Sequence, residues 1–276
     1  MHLKYKRILW EIESYLEDNS SSLPPNRLSE NTKMLLNCHP ELVEGSQNKE
    51  VDSIIRNGFY LTENKGNNSF DFSDGKKIWV SSVIHGGQED ILLGEELVFQ
   101  DEGKQSSGLK SYVYGKTGNS QAPIFICDNH NYVLEAWESL AQKAKEMPQL
   151  IHIDQHRDDA KFLGDILDDY RKTTKICDYI DYAIQKKWVE RFFLSFTESK
   201  DLNDFDISKL NIKKDFILNI DLDFFAPELT SISLAKKLEL ISSLTPHAQL
   251  ITMATSPLFI DQEFAIAIGK LFWRWF

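Results

Sequence analysis

The sequence predicts an α/β protein with three layers, α/β/α, built around a mainly parallel central sheet. From about residue 120 onward, short apolar segments of strand length alternate with helical segments, as in strands joined by helical crossovers. The strand segments are apolar throughout rather than at every second residue, which indicates a sheet covered on both faces. With 276 residues, 42% of them hydrophobic, the chain is long enough to bury such a core.

The individual elements follow from local patterns. Apolar residues at helical spacing predict helices at 5–17 and 131–145, and further helices are predicted over most of 160–187 and at Ser233–Leu244. Trp79, Trp137 and Trp188 are expected in the core. Residues 1–70 are interpreted as an N-terminal extension packed on a main domain of residues 71–276, with an inserted surface loop at 37–46. Strands are predicted at 77–82, 123–127, 149–153, 191–196, 216–220 and 249–253.

Charge and cysteine content exclude several classes of protein. The net charge of −11 disfavours binding to nucleic acid and is compatible with a cationic partner. Cys38, Cys127 and Cys177 are widely spaced and form no CxxC pair, so neither disulfides nor a thiolate zinc site is expected. No signal peptide and no apolar stretch of membrane-spanning length is found, and we expect a cytoplasmic protein without membrane contact.

The first motif with chemical content follows the strand at 149–153. Because alternate residues of an extended chain face the same way, Asp154, His156 and Asp158 project together where this strand ends. Such a group can be a hydrogen-bonded polar cluster at a turn. A divalent metal ion is the interpretation we favour, since it would neutralise the carboxylates and accept the imidazole.

Two further strand ends carry residues of the same chemical kind. Asp221 and Asp223 share a face, and their neighbours are apolar, so they are not part of a solvated run of charges. His130 follows the strand at 123–127 and precedes a helix, where an imidazole beside the other two clusters is interpreted as a ligand. His152, which lies within a strand, is interpreted as a buried structural histidine.

These segments resemble the ureohydrolase superfamily of arginases, agmatinases and, more distantly, histone deacetylases. The resemblance is closest to the peptide arginase family, which acts in ribosomal peptide maturation, and it covers roughly residues 75–265. The motifs are Asp128-Asn129-His130, Ile153-Asp154-Gln155-His156-Arg157-Asp158, Asn219-Ile220-Asp221-Leu222-Asp223-Phe224-Phe225 and Thr252-Met253-Ala254-Thr255-Ser256-Pro257. The second and third of these, found in this order, are the most specific to the superfamily.

The resemblance implies an arginase-like fold, a site for two manganese ions and a hydrolytic mechanism. A hydroxide bridging the two ions would attack a guanidinium carbon, yielding urea and the amine of ornithine. Asp158 would orient this hydroxide and carry its proton to the leaving nitrogen. One metal would take His130, Asp154, Asp158 and Asp221, and the other would take His156, Asp154, Asp221 and Asp223.

The sequence departs from the arginase pattern near the substrate. Arginases place a glutamate close to the guanidinium, where this chain has Ala254, and Asp261 or Glu263 is the candidate to supply that carboxylate. No histidine lies between His156 and His247 to take the place of the arginase proton-transfer histidine. Both departures disfavour free arginine as the substrate.

The expected function is hydrolysis of arginine side chains in a precursor peptide, with that peptide as the partner. Alternatives within the same chemistry are a small guanidino compound such as agmatine, or an amide as in deacetylases. An alternative of another class is a non-catalytic peptide-binding module in which the metal only stabilises the fold. The complete set of six ligands favours the enzyme, and its oxygen-rich composition with only two imidazoles favours manganese over zinc. The sequence leaves the oligomeric state open.

Overall fold

The computed structural model describes most of the chain from residue 54 onward. Ile12 and Ser14, within the predicted helix at 5–17, are both helical, while the loop predicted at 37–46 lies outside the described residues. By its internal contacts the chain divides into Met1–Asp52 and Ser53–Phe276. The predicted extension of residues 1–70 stays a prediction. The described residues are Ile12, Ser14, 54–63, 75–101, 103–117, 122–190, 194–196 (backbone only), 216–227, 229 and 231–276.

The strands of the described residues are β1 Phe59–Leu61, β2 Ile78–Val80, β3 Ser82–His85, β4 Leu93–Asp101, β5 Lys104–Leu109, β6 Ser111–Lys116, β7 Pro123–Cys127, β8 Gln149–Ile153, β9 Leu194–Phe196, β10 Phe216–Asp221 and β11 Leu250–Ala254. Seven of them form one sheet with the order β3-β6-β7-β11-β10-β8-β9. Five of its six pairings are parallel and only β6–β7 is antiparallel, which confirms the predicted α/β fold with a mainly parallel central sheet. Two small antiparallel pairs, β1–β2 and β4–β5, accompany it.

The helices agree with the predictions in some places and differ in others. The predicted helix at Ser233–Leu244 is confirmed, with the Ser233 side chain accepting a hydrogen bond from the Lys236 amide at its start. The prediction that most of 160–187 is helical is wrong, since only Tyr170–Thr173 and Tyr179–Gln185 form α-helices. Residues 160–169 are irregular, and there the Asp165 side chain accepts a hydrogen bond from the Leu167 amide. The α-helices are α1 Leu134–Ala141, α2 Tyr170–Thr173, α3 Tyr179–Gln185, α4 Leu234–Leu244 and α5 Gln262–Trp275, and the 3-10 helices are Gln88–Asp90, His130–Val133, Leu222–Phe225 and Thr245–His247.

Helices cover both faces of the sheet, as the apolar strands require. Thr252 of β11 accepts a hydrogen bond from the buried indole of Trp137 on α1. Because successive side chains of a strand face opposite sides, the next residue, Met253, is on the other face of the sheet, beside Ile126 of β7. There α5 packs so closely that a Cβ atom on Gly269 would lie 2.8 Å from the Ile126 side chain. These contacts give the predicted three layers.

Two remaining predictions concern burial and membrane contact. Trp137 is fully buried, as predicted for a core residue, whereas Trp79 and Trp188 are only half-buried. Among the described residues, no helix combines the length and the apolar character needed to cross a lipid bilayer.

Candidate metal centre

Two acidic strand ends meet at one edge of the sheet. Asp221 is the last residue of β10, and Asp154 directly follows β8, which lies beside β10 in parallel. Because side chains alternate along a strand, Asp154 and Asp221 lie on the same face as His152 and Asn219, which are partners in the register. The carboxyl ends of parallel strands thus bring together residues that are 67 positions apart in the sequence.

The carboxylates of these strand ends are oriented by the backbone. Oδ1 of Asp154 accepts a hydrogen bond of 2.6 Å from the His156 amide, and Oδ1 of Asp221 accepts one of 3.0 Å from the Asp223 amide. The two remaining Oδ2 atoms both face His130. The short turn after each strand therefore fixes one carboxylate oxygen and presents the other to the cluster.

His130 is the centre of the first group of donors. It lies in the 3-10 helix that follows β7, and it is buried. Its Nδ1 atom lies 3.0 Å from Oδ2 of Asp221, 3.2 Å from Oδ2 of Asp158 and 3.4 Å from Oδ2 of Asp154. One imidazole nitrogen thus shares a small space with three carboxylates, which are the predicted ligands of the first metal.

His156 is the centre of the second group. Its Nδ1 atom lies 3.0 Å from Oδ2 of Asp223 and 3.6 Å from Oδ1 of Asp154. The ring is 48% exposed, whereas both carboxylates are buried, so this group opens towards solvent. Asp154 belongs to both groups, which is the arrangement expected of a residue that bridges two ions.

The protonation preferences of these groups indicate that the cluster needs positive charge. Burial raises the pKa of Asp223 well above its usual range, with Asp221 adding repulsion, and burial also raises the pKa of Asp158 to about 6. Hydrogen bonding to Asp154 and Asp223 raises the pKa of His156 to about 11. Protons are thus retained at Asp158, Asp223 and His156, whereas at Asp154 burial is outweighed by contacts with three histidines, which hold the pKa well below its usual range.

Several buried atoms of the cluster also lack a hydrogen bond. Nδ1 of His130, Oδ2 of Asp154 and Oδ2 of Asp223 are buried and have no aligned partner, although charged neighbours lie within 3.4 Å of each. Leaving such atoms unsatisfied costs about 1–3 kcal/mol each. Atoms that converge on a common point without bonding to one another are the arrangement that a cation satisfies, so these residues fit a metal ion.

Among the described residues, two sets of donor atoms lie close enough together to hold an ion. In each set all donor atoms are within 4.8 Å of one another, and Asp154 is in both. The first contains His130, His152 and Asp154, and the second contains Asp154, His156 and Asp223. The inclusion of His152 differs from the prediction of a purely structural histidine, although the residue is completely buried as predicted.

A layer of buried polar residues behind the cluster was not identified from the sequence. The Asn219 side-chain nitrogen lies 3.1 Å from Nε2 of His130, 3.0 Å from Nδ1 of His152 and 3.1 Å from the Tyr179 hydroxyl. Its oxygen accepts a 2.7 Å hydrogen bond from Thr252. Polar residues inside otherwise apolar strands were the available signal, since burial obliges each of them to find a partner.

An open pocket of about 390 Å³ lies over the cluster, and its wall includes His130, His156, Asp158, Asp221 and Asp223. The backbone is left-handed at Asp158, with φ of 45°, and at Ser256 on the same wall, with φ of 46°. Non-glycine residues with this conformation are uncommon and tend to occur at functional sites.

The pocket wall also contains residues that the sequence had not singled out, among them Asp159, Cys177 and Phe259. The two predicted substrate-binding residues are not part of this wall. Asp261 is the N-cap of α5, where its side chain accepts a 2.8 Å hydrogen bond from the Phe264 amide, and Glu263 lies in the first turn of that helix. A role for either one in substrate binding stays a prediction.

Comparison with known proteins adds little to this geometry. No family model and no curated protein matches the sequence. Among solved structures, the chain is similar to proclavaminate amidino hydrolase from Streptomyces clavuligerus, with a TM-score of 0.41 and 14% identity. The match covers 55% of this chain and 63% of that chain, so this chain spans less than two thirds of the matched protein. The interpretation of the site therefore depends on the site itself.

Proposed function

We propose that this protein is a metal-dependent hydrolase of the ureohydrolase type that converts arginine side chains of a peptide into ornithine, with release of urea. The observation that carries the proposal is the pair of donor groups that share the buried Asp154, beside an open pocket whose wall includes His130, His156 and Asp223. The proposed metals are two manganese ions, because the donors are mostly carboxylate oxygens with few imidazoles.

The chain provides a ligand set for each ion. Metal ions, when bound, would lower the pKa of a coordinated water molecule, so that it can act as a nucleophile near neutral pH. The first ion is assigned to His130, Asp154, Asp158 and Asp221, and the second to His156, Asp154, Asp221 and Asp223.

The reaction needs a proton carrier, and we assign that role to Asp158. Water oxygen bonds to the guanidinium carbon, the bond from that carbon to the side-chain nitrogen breaks, and this nitrogen takes up a proton. Asp158 is on the pocket wall, and its side chain is 12% exposed, so it contacts both the cluster and the space that a substrate would occupy. A carboxylate at this position can take the proton from water and pass it to the leaving nitrogen.

Asp159 and Phe259 are assigned to the substrate cation. The Asp159 carboxylate on the pocket wall already binds a guanidinium, that of Arg157, whose Nε and terminal nitrogen atoms both lie 2.9 Å from Oδ2. Because this ion pair is exposed, an arginine of the substrate can replace Arg157 at little cost. Phe259 is on the same pocket wall, and we assign its ring to pack against that cation.

A peptide is favoured over a small molecule by the openness of the site. The pocket opens to solvent beside His156, so a side chain that extends from a longer chain can reach the metal cluster. The net charge of −11 would also attract a basic peptide during encounter.

The test is urea release by the manganese-loaded protein from an arginine-containing peptide, free arginine and agmatine, with an acetyl-lysine peptide as the amide substrate. The expected result is urea from the peptide, ornithine detected in it by mass spectrometry, and loss of both in Asp154→Asn but not in the exposed control His247→Ala. Acetate release would indicate an amide hydrolase. Peptide binding without any turnover, in protein shown to hold two metal ions, would overturn the proposal that the protein is an enzyme.

A further inference from the structure

Behind the candidate metal centre, a chain of hydrogen bonds links Trp137, Thr252, Asn219 and His152, and the far nitrogen of His152 contacts Asp154. The Trp137 indole nitrogen donates to the Thr252 hydroxyl at 3.2 Å, and that hydroxyl donates to the Asn219 oxygen at 2.7 Å. The Asn219 nitrogen lies 3.0 Å from Nδ1 of His152, and Nε2 of His152 lies 3.0 Å from Oδ2 of Asp154. All five residues are buried, so water does not compete for these contacts.

The direction of the chain is fixed at its Trp137 end. An indole N–H can only donate, so the Thr252 oxygen accepts from Trp137 and the Thr252 hydrogen is left for another acceptor. That acceptor is the oxygen of Asn219. The side-chain amide of Asn219 therefore turns its nitrogen, with two hydrogens, towards the histidines.

Three groups face these two hydrogens, and the proposed metal site decides among them. The amide nitrogen lies near Nε2 of His130, Nδ1 of His152 and the hydroxyl of Tyr179. A neutral His130 that binds metal through Nδ1 keeps its own hydrogen on Nε2 and cannot accept there. The amide hydrogens are then donated to His152 and Tyr179, which places the His152 hydrogen on Nε2, facing Asp154.

We propose that His152 is a positioning residue: held by Asn219 with its hydrogen on Nε2, it orients the carboxylate of Asp154, one of the two ligands shared by the proposed ions, without itself binding metal. This inference rests on the proposed metal site. It goes beyond that site by assigning a role to His152, Asn219 and Thr252. Hydrogen bonds of this kind typically change metal affinity by about ten- to a hundredfold when they are removed.

The test compares manganese affinity and stoichiometry across three pairs of variants, measured by calorimetry and by metal analysis of the folded protein. His152→Phe removes the donor, whereas His152→Gln keeps an N–H near the position of Nε2. Thr252→Val breaks the chain far from the metals, whereas Thr252→Ser keeps the hydroxyl. His247→Gln and His247→Phe are the exposed controls.

We expect His152→Phe to weaken manganese binding about ten- to a hundredfold while two ions still bind at saturation. His152→Gln should restore most of the affinity, and Thr252→Val should weaken binding more than Thr252→Ser. Pulsed electron paramagnetic resonance of the manganese protein should detect two coordinated imidazoles, with no change in the His152 variants. If His152→Phe does not fold, the glutamine and Thr252 variants still test the inference.

Other outcomes would overturn the inference. Three coordinated imidazoles, with one lost in His152→Gln, would make His152 a ligand. Unchanged manganese affinity in both His152→Phe and Thr252→Val would show that these hydrogen-bonded residues have a purely structural role. A wild-type protein that binds no manganese would remove the basis of the inference. Failure of the urea assay alone, with this pattern of affinities intact, would contradict the proposed reaction but not the role of His152.

Discussion

Nδ1 of His156 lies 3.0 Å from Oδ2 of Asp223, which joins the segment after β8 to the segment after β10. His130 makes the corresponding contact with Asp221 on the other side of Asp154. Each imidazole thus has its own carboxylate, and Asp154 lies between the two pairs. Under the proposed function each histidine would bind a separate ion, with Asp154 and Asp221 as the ligands shared between the two.

Metal binding should stabilise the folded protein in proportion to the ions it holds. Manganese at a hundred times its dissociation constant is expected to add about 2.7 kcal/mol for one site, and a chelator should reverse this. His130→Ala and His156→Ala should each reduce the bound manganese from two ions to about one. Thermal denaturation and metal analysis check this, with His247→Ala as the control. Two ions retained in both variants would contradict the assignment of ligands.

Asp159 should control the binding of a cationic substrate rather than the chemical step. Asp159→Asn removes the charge of a half-exposed acceptor worth about 0.2–1 kcal/mol, so KM for the peptide should rise up to about fivefold with little change in kcat. Arg157→Gln is the matched variant, and it should lower KM because it frees the carboxylate from its present partner. Steady-state kinetics measure both, and a fall in kcat at constant KM would exclude this role.

Asp261 should contribute to stability through its cap of α5. Asp261→Ala is expected to destabilise the fold by about 0.5–2 kcal/mol, whereas Asp261→Asn, which keeps an acceptor for the Phe264 amide, should be nearly neutral. Urea denaturation measures the difference. Since neither Asp261 nor Glu263 is on the pocket wall, both variants and Glu263→Gln should leave KM unchanged. An increase in KM in Asp261→Asn would instead support the role predicted from the sequence.

The ion pair between Arg56 and Glu135 should stabilise the fold without affecting the metals. The guanidinium binds both carboxylate oxygens of Glu135 and also the Ser81 carbonyl, and the Glu135 side chain is only 5% exposed. Glu135→Gln should therefore cost about 3–5 kcal/mol by leaving Arg56 without its counter-ion, whereas the double variant Arg56→Met, Glu135→Leu should recover much of this loss.

Chemical denaturation of the variants, together with their manganese content, checks this expectation. The exposed Lys236–Glu239 pair is the matched control, and Lys236→Met should change stability by less than about 0.5 kcal/mol. Loss of bound manganese in folded Glu135→Gln would show instead that the ion pair supports the metal cluster.

The local sequence was sufficient to predict the strands that form the site. An apolar run of five or six residues that ends in alternating acids, as at 149–158 and 216–223, predicts a buried strand and the face on which its acids lie. That Asp154 and Asp221 share a site was implied by the resemblance to the ureohydrolases. Pairing of β8 with β10 brings both carboxylates to His130.

Only the tertiary structure decided which distant residues complete the site. Trp137, Thr252 and Asn219 come from α1, β11 and β10, and no periodicity relates residues so far apart. The pocket wall likewise takes Asp159 and Phe259 from two loops, whose course depends on packing. Side-chain direction follows from the geometry of a single strand, which the sequence determines, whereas strand order and loop path depend on burying all the apolar surfaces together.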